Sequence, residues 1–485
     1  MTGRNERRKK HFIAVLGTGG YTPCTYYLDK NTCDTKFVQE AVLKLACGEL
    51  RSDDRITICL TEDARRQNWE DRAYNQREIE RNSNLSQEIY QGLHAALEAS
   101  LKHVAGIQIE EKDIATGKDS REIARMFSEI YDVIDEGEEI YFDITHGLRN
   151  IPMLVMAILE YAKVTKGILI GGIYYGAFEV GIFDPALNRK RVPIYDMTFY
   201  HTIMNWSNAA NSFIQYGHAD EISELVNERW QSIARTSSKS QNVKELSGNL
   251  NNVAKRLQEF TSGIETGRGN TEYKKSIQKC YDAYKSQQKF TSEYLVEEYY
   301  PFRELLDKIE RKTEKYKNAK TNLEVGMATI DWCIENHMVQ QGYTALDETV
   351  KTFLCEKIGV SQEEEFWREM IVKRICTSLY SVIEGTCEEM EYQFEEWQKF
   401  LRARGQCDAD QMQKAFEKGR ELYVMITGIE KHKKLIPLMN RIGTKRNDIS
   451  HFGFTDHTAA PDSLKKELKS MADTFCEIQR EWDIP

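Results

Sequence analysis

The 485-residue chain has no run of the roughly 20 apolar residues that a membrane span needs. The longest candidate, IPMLVMAILEYA (151–162), is too short and carries Glu160. The N-terminus MTGRNERRKKHF is basic, but the IAVLGTGG that follows reads as a strand and a glycine turn, not as the apolar core of a signal peptide. No membrane partner is expected, and the expected location is cytoplasmic. The 11 cysteines form no CxxC pair and no Cys/His cluster with zinc spacing. Several, such as Cys47 and Cys376, fall on apolar helical faces, so buried reduced thiols are expected. No carboxylate cluster suggests a metal, and EEE (363–365) and EEM (388–390) read as solvated helix faces. Positive charge is also scarce: the formal net charge is −10 and the pI near 5.7. That excludes a protein that coats nucleic acid non-specifically, but not one with a small, locally positive site. Such a stretch exists at 431–446, KHKKLIPLMNRIGTKR, with six Lys/Arg and no acid.

The first ~200 residues alternate strand and helix signals. Strands are expected at 12–17, 55–61, 107–114, 138–145 and 167–176, with AFEVGIFD (177–184) paired beside the last. Helices are expected at 35–47, within 84–104, at 119–135 and at 150–165. Such alternation means βα units, a parallel sheet and a doubly wound fold. After about residue 198 the strand signals stop. Only one of the eight prolines lies between residues 194 and 436, and long helical patterns run through that region. The Ser/Asn/Thr/Gly-rich stretch 235–275 reads as an exposed helical connector with flexible breaks. A compact all-α segment begins near 325. The expected division is therefore 1–200, 201–325 and 326–485.

Two strand ends carry unusual loops. The first, LGTGGYTPCTY (16–26), is neither a P-loop, since no GK[ST] follows, nor the dinucleotide GxGxxG fingerprint. Gly17, Gly19 and Gly20 let the backbone turn tightly and approach a ligand, and Thr18 offers a hydroxyl. The second is FDITHGLRN (142–150), where a strand stops and a helix starts. Open parallel sheets bind ligands at the carboxyl ends of strands, where strand order reverses. If the first and fourth strands flank that switch, both loops face one cleft. It would offer backbone N–H groups, threonine hydroxyls, His146, and Arg149 at a helix N-terminus, a set that suits phosphates. A ligand cradle is favoured over a structural turn. A catalytic His146 is the weakest reading, because no nucleophile is near it.

In the C-terminal half, RNDISH (446–451) follows the basic stretch. The five-residue offset leaves Arg446 and His451 near one face of a helix, about a turn and a half apart. The chemistry suggested is metal-free RNA cleavage by attack of the 2′-hydroxyl on the adjacent phosphorus. Histidine supplies a group that titrates near neutrality, arginine a fixed cation for charge building on the phosphoryl oxygens, and Asn447 an orienting amide. The residues alone favour a plainer alternative, an Arg–Asp surface pair with His451 capping a helix. His432 is expected to be solvated.

Together these features resemble the CARF–HEPN ribonucleases of type III CRISPR systems, in the branch named for a DxTHG motif, here Asp143-Ile144-Thr145-His146-Gly147. LGTGGYTPCTY looks like that family's first strand and loop. IYYGAFE (173–179) and MTFYHTIMNWSNAANSFIQYGHA (197–219) look like its late core strand and the helix leading out of the domain. HMVQQGYTALDETV (337–350) is similar to the opening HEPN helix, and RNDISH fits Arg-x(4–6)-His with Asn second. The resemblance covers roughly 11–220 and 325–455; the long polar segment 225–325 departs from it. It implies a Rossmann-like CARF sensor (1–200), a helical connector (201–325) and a HEPN ribonuclease domain (326–485). It implies a homodimer or higher oligomer that binds a cyclic oligoadenylate and cuts single-stranded RNA without a metal or other cofactor. Cyclic tetra-adenylate is the expected activator and hexa-adenylate the runner-up. Carried residue by residue, it implies activator contacts at Gly17, Thr18, Gly19, Thr145, His146, Gly147 and Arg149. Asp143 would brace the loop, and Arg446, Asn447 and His451 would be catalytic. The alternatives are a sensor that cleaves only its activator, or one that docks a partner through its helical half.

Overall fold

A computed structural model describes residues 7–81, 85, 88–147, 151–235, 241–268, 279, 300–405, 408–454 and 458–482. The chain divides into two compact units, 1–204 and 205–485. The division falls within the helix Phe199–Tyr216.

The first unit is built on a nine-stranded sheet. Its strands are β1 (Lys10–Val15), β2 (Cys24–Leu28), β3 (Asn31–Thr35), β4 (Arg55–Leu60), β7 (Gln108–Asp113), β8 (Glu139–Asp143), β9 (Leu169–Gly176), β10 (Ile182–Asp184) and β11 (Arg189–Asp196); β5 (Arg72–Ala73) and β6 (Ile89–Tyr90) form a separate ribbon. The spatial order is β3-β2-β11-β9-β8-β1-β4-β7, with β10 beside β11. β1 pairs in parallel with both β4 and β8. The chain winds outward from β1 through β4 to β7, then returns to β1's other side for β8 and β9. Strand order therefore reverses between β1 and β8.

The sheet is covered on both faces, and the alternation along β1 shows why. Phe12, Ala14 and Leu16 enter the core that includes Val38, Val42 and Leu97. Ile13 and Val15 enter the opposite core, with Met126, Ile130, Val155 and Ile158. A strand buried on both faces must read as a continuous apolar run, as FIAVL does. Each such aliphatic side chain contributes about 1.5–3 kcal/mol on full burial. The helices Val38–Ala46 and Leu93–Leu101 lie on one face, and Ser120–Tyr131 and Ile151–Lys166 on the other.

One edge differs from expectation. β2 and β3 form a hairpin, turning at Asp29 in the left-handed region (φ 52°), where no strand was expected; β2 begins within the loop read at 16–26. Segment 177–184 does not pair beside β9. That place belongs to β11, antiparallel to β9, and β10 pairs with β11 instead. The apolar run ending at Gly176 masked a hairpin whose outer strand, RKRVPIYD, reads as polar. At the sheet's opposite end, buried His11 bridges Glu138 (2.8 Å) and Thr57 (2.7 Å), a polar brace for β1, β4 and the approach to β8.

In the second unit every described element is a helix. One core gathers Phe213, Ile222, Val226, Leu257, Phe260, Ile309 and Trp332. The stretch read as an exposed connector is thus partly a packed helix, Gln241–Glu265, with Leu250, Val253, Leu257 and Phe260 buried at helical spacing. Its polar residues occupy the other face, and they dominated the composition. The larger core joins the helices Val339–Lys357, Leu435–Ser450 and Pro461–Trp482 through Tyr343, Leu346, Val350, Ile442 and Phe475. Capping boxes start two helices, Thr321 with Glu324 and Thr386 with Glu389. Glu363, Glu364, Glu365 and Glu388 are exposed. The cysteines described are free thiols, with Cys47 and Cys376 buried.

Candidate functional site

The carboxyl ends of β1 and β8 are adjacent, as the parallel pairing dictates. Gly17 is buried, while Thr18, Gly19 and Gly20 are exposed. The His146 ring lies flush against the Gly17 backbone: a Cβ at position 17 would sit 2.8 Å from Nδ1 and 3.0 Å from Cγ. No side chain larger than hydrogen fits there. Tyr21 meets the same ring edge-on, with centroids 4.9 Å apart. The structure thus brings Gly17, His146 and their neighbours into one cleft at the topological switch point, where such sheets bind ligands. Gly147 is held at φ 123°, and a Cβ there would meet Ile151 Cδ1 at 2.3 Å. Arg149, the remaining member of the expected set, lies outside the described residues.

The loops are clamped from behind. Asn68 is buried in a π-helical turn, Arg65–Trp69. Its Nδ2 donates to the carbonyls of Gly17 (2.8 Å) and Gly19 (3.0 Å), and its Oδ1 accepts from Tyr90 Oη at 2.8 Å. Gly17 N–H donates to Tyr21 Oη (3.1 Å), and Gln39 Nε2 donates to both Tyr21 Oη and the Val15 carbonyl. The carbonyls thus face inward, while the amides of Thr18, Gly19 and Gly20 hydrogen-bond to no described residue. Unpartnered amides on an exposed loop are available to an anion. Asp143 Oδ1 accepts from the Thr145 amide (3.0 Å) and hydroxyl (2.5 Å). The same hydroxyl accepts from Gly176 N–H at 2.8 Å. Thr145 therefore ties β8 to β9, and its side chain is committed to the framework.

Burial sets the charge state of this cleft. It pushes the His146 imidazole down to about 4, so the ring is neutral at pH 7. It pushes the Asp143 carboxyl up to about 6, against the two Thr145 hydrogen bonds that favour the anion. Asp143 Oδ2 is buried without a hydrogen-bond partner. A neutral imidazole beside free amides can donate or accept a hydrogen bond, but it is a poor proton donor at neutral pH. Asn68 and Gln39 were invisible to sequence reasoning, because no motif spaces them from the loop they hold; Tyr21 lies within that loop, but its role was not read.

In the second unit, Arg446 and Asn447 lie in the helix Leu435–Ser450, and His451 is its C-cap, donating its N–H to the Asn447 carbonyl at 2.9 Å. Asn447 and His451 are exposed. Just beyond, Phe452 turns into the left-handed region (φ 58°), and both Phe452 and Phe454 are largely exposed. Arg446 Nη1 donates to Asp347 Oδ2 at 2.6 Å. Its other guanidinium nitrogens bond to no described residue. Both halves of the plainer reading, an Arg–Asp pair and a helix-capping histidine, are therefore present. They place the arginine firmly and leave part of its guanidinium and all of the imidazole accessible.

Behind Arg446 lies a buried charge cluster. Lys351, fully buried, reaches Asp347 (3.0 Å), Glu348 (3.0 Å) and Glu369 (2.6 Å). Arg368 holds the Glu348 carboxylate through Nε (3.1 Å) and Nη2 (2.7 Å). Burial works against the Lys351 charge, but Asp347, Glu348 and Glu369 outweigh it and raise its pKa. Burial likewise opposes the Glu369 carboxylate, yet Lys351 and Lys373 hold it at about 2. The i, i+4 pair Asp347/Lys351, set among Leu346, Val350 and Phe353, was the available sequence signal for this cluster.

His432 is not solvated. It is buried, stacked on Trp482 with centroids 3.7 Å apart, and its ring nitrogens face the carbonyls of Met425 (2.8 Å) and Trp482 (3.1 Å). The lysines around it suggested a solvated segment, but the C-terminal helix covers it.

Comparisons with known proteins cover the first unit and the start of the second. Residues 11–179 match the family model for the CARF domain of the CRISPR system endoribonuclease Csx1. Residues 202–319 match the model for the second domain of the CRISPR-associated protein MJ1674. The chain is 24% identical over 270 residues to the CRISPR-associated protein MJ1674 of Methanocaldococcus jannaschii, covering 55% of this chain and 37% of that protein. The match thus spans well under half of the relative's length. The stretch read as a connector resembles a domain found elsewhere, consistent with its own packed core.

Proposed function

We propose that the protein is a CRISPR-associated endoribonuclease of the DxTHG branch, switched on by a cyclic oligoadenylate. The observation that carries this reading is the junction of the β1 and β8 loops, where the half-buried, neutral His146 packs on Gly17 beside exposed amides, within a region that matches a Csx1 CARF domain. Gly17, Thr18, Gly19, His146 and Gly147 would contact the activator, with Thr145 and Asp143 as framework; Arg149 remains in the proposal as a phosphate partner.

RNA would be cut at Arg446, Asn447 and His451 in a HEPN domain. The 2′-oxygen forms a bond to phosphorus as the bond to the 5′-oxygen breaks. One proton leaves the 2′-hydroxyl and one reaches the departing 5′-oxygen, so a 2′,3′-cyclic phosphate and a 5′-hydroxyl result without water or metal. His451 moves protons, Arg446 stabilises the charge on the phosphoryl oxygens, and Asn447 orients the phosphate. One copy offers one such set; a homodimer would supply two. Support comes from the fixed guanidinium of Arg446 and the exposure of His451.

The test is cleavage of a fluorescent single-stranded RNA with cyclic tri-, tetra- or hexa-adenylate. Activation by the tetra-adenylate is expected, and no response to any ring would overturn the reading. A second reading is favoured by the Arg446–Asp347 pair and the capping position of His451. In it RNDISH is structural, and the protein acts only on its activator or docks a partner. Ring opening that His146→Ala removes, with no RNA cleavage by the parent, would select it.

A further inference from the structure

A cleft in the second unit, about 760 Å3, opens beside Arg446. It lies within the range of roughly 300–1,000 Å3 typical of ligand pockets. Its walls come from the end of the helix Gln241–Glu265, the start of Asn322–Glu335, the helix Val339–Lys357 and the Gln362–Arg368 turn. Its lining is mixed: Ile264, Gly326 and Ala345 alternate with Thr, Asn, Gln, Glu and Arg side chains. Thr344 has no hydrogen bond to a described residue, so its hydroxyl is available. Arg446 stands in the wall with Nε and Nη2 unused, and exposed Arg268 stands at another edge. Two carboxylates stand in the wall: Glu348 is paired with Lys351 and Arg368, and Glu363 lies exposed beside Gln362, so with Arg268, Arg368 and Arg446 the wall carries one more cation than anion. The cleft therefore presents the guanidinium groups of Arg268 and Arg446 and the Thr344 hydroxyl, while the Thr329, Thr349 and Thr352 hydroxyls donate to carbonyls of their own helices and keep only acceptor capacity. Guanidinium suits phosphate oxygens, and hydroxyl and amide groups suit ribose hydroxyls and base edges.

We propose that this cleft binds the single-stranded RNA substrate, holding a nucleotide next to the scissile phosphate so that Arg446 serves both the cleft and the cleavage site. This rests on the ribonuclease reading above and extends it. The cleft, not the −10 overall charge, supplies local affinity for RNA. Arg268 and Thr344 are substrate-positioning residues, and Ala345, small and facing the cleft, keeps it open.

The test uses the full chain carrying His451→Ala, so that RNA stays intact, and reads anisotropy of a labelled single-stranded RNA. Adding Ala345→Trp fills the cleft and should weaken RNA binding at least about tenfold. Arg268→Glu, at an exposed position with little bearing on folding, should weaken it similarly and flatten the salt dependence by about one unit of slope. Affinity for cyclic tetra-adenylate should stay unchanged in both. A folded variant of either kind that binds RNA with the parental affinity and salt slope overturns the cleft assignment while leaving the ribonuclease reading intact. A parent that neither binds nor, with His451 restored, cuts RNA overturns both. If Ala345→Trp fails to fold, Arg268→Glu decides alone. Loss of dimer in place of RNA affinity would make the cleft an interface between copies and overturn the proposal.

Discussion

At the residue scale, the cleft between β1 and β8 depends on what is missing from Gly17. A methyl group there would collide with the His146 ring, whereas a Cβ at Gly19 meets nothing within 4 Å. Gly17→Ala should therefore displace His146 and weaken cyclic-oligoadenylate binding by about 1–3 kcal/mol, and Gly19→Ala should bind much as the parent does. Isothermal titration of the two variants checks this; equal affinities would show that the His146 contact is irrelevant. The same residue gives a pH prediction. Burial lowers His146 from 6.5 to about 4. Between those values the unfolded chain binds a proton that the folded one does not, so this group's stability contribution is lost as pH falls through that window. Asp143, raised from 3.8 to about 6, acts in the opposite sense: the folded state holds its proton between those values, and stability declines as pH rises through them. NMR titration should show His146 neutral down to near pH 4, with activator binding flat from about pH 8 to 5 as far as His146 is concerned. A midpoint near 6.5 would mean the ring is solvated.

At the scale of elements, both candidate sites are held by buried polar clamps on irregular turns. Asn68 lies in one π-helical turn, and Arg368 and Glu369 in another, Phe366–Lys373. Such turns redirect side chains that a regular helix would point elsewhere. In the second unit the clamp is ionic. Lys351→Met would leave Asp347, Glu348 and Glu369 without their shared cation and should cost about 3–5 kcal/mol in a urea titration. Unchanged stability would mean the cluster is solvated. The glycine and DITHG loops were legible because glycine and strand-to-helix junctions are local signals. The clamps were not, since they join residues such as Asn68 and Gly17 that only the fold brings together. The β2–β3 hairpin and the burial of His432 were also missed. Packing covers the segment around His432, whose composition reads as exposed, and the hairpin escaped notice because its outer strand, NTCDT, is polar and largely exposed.

For the whole molecule, the parallel core was legible from the βα alternation, and the switch between β1 and β8 follows from strand order. The helical half was read as helical, but its first core was not, because a polar face outweighed the apolar stripe of Gln241–Glu265 in the composition. The chain divides into two compact units, and on the proposed function sensing would belong to the first and chemistry to the second. That separation makes a direct test available. The measurement is the rate of single-stranded RNA cleavage with cyclic tetra-adenylate and EDTA, alongside activator affinity, for the parent and His451→Ala. The parent should cut RNA and leave 2′,3′-cyclic phosphate ends, and the variant should lose at least about a hundredfold in rate with its activator affinity intact. Undiminished cleavage by His451→Ala, or cleavage abolished by EDTA in the parent, would contradict the assignment of metal-free chemistry to RNDISH.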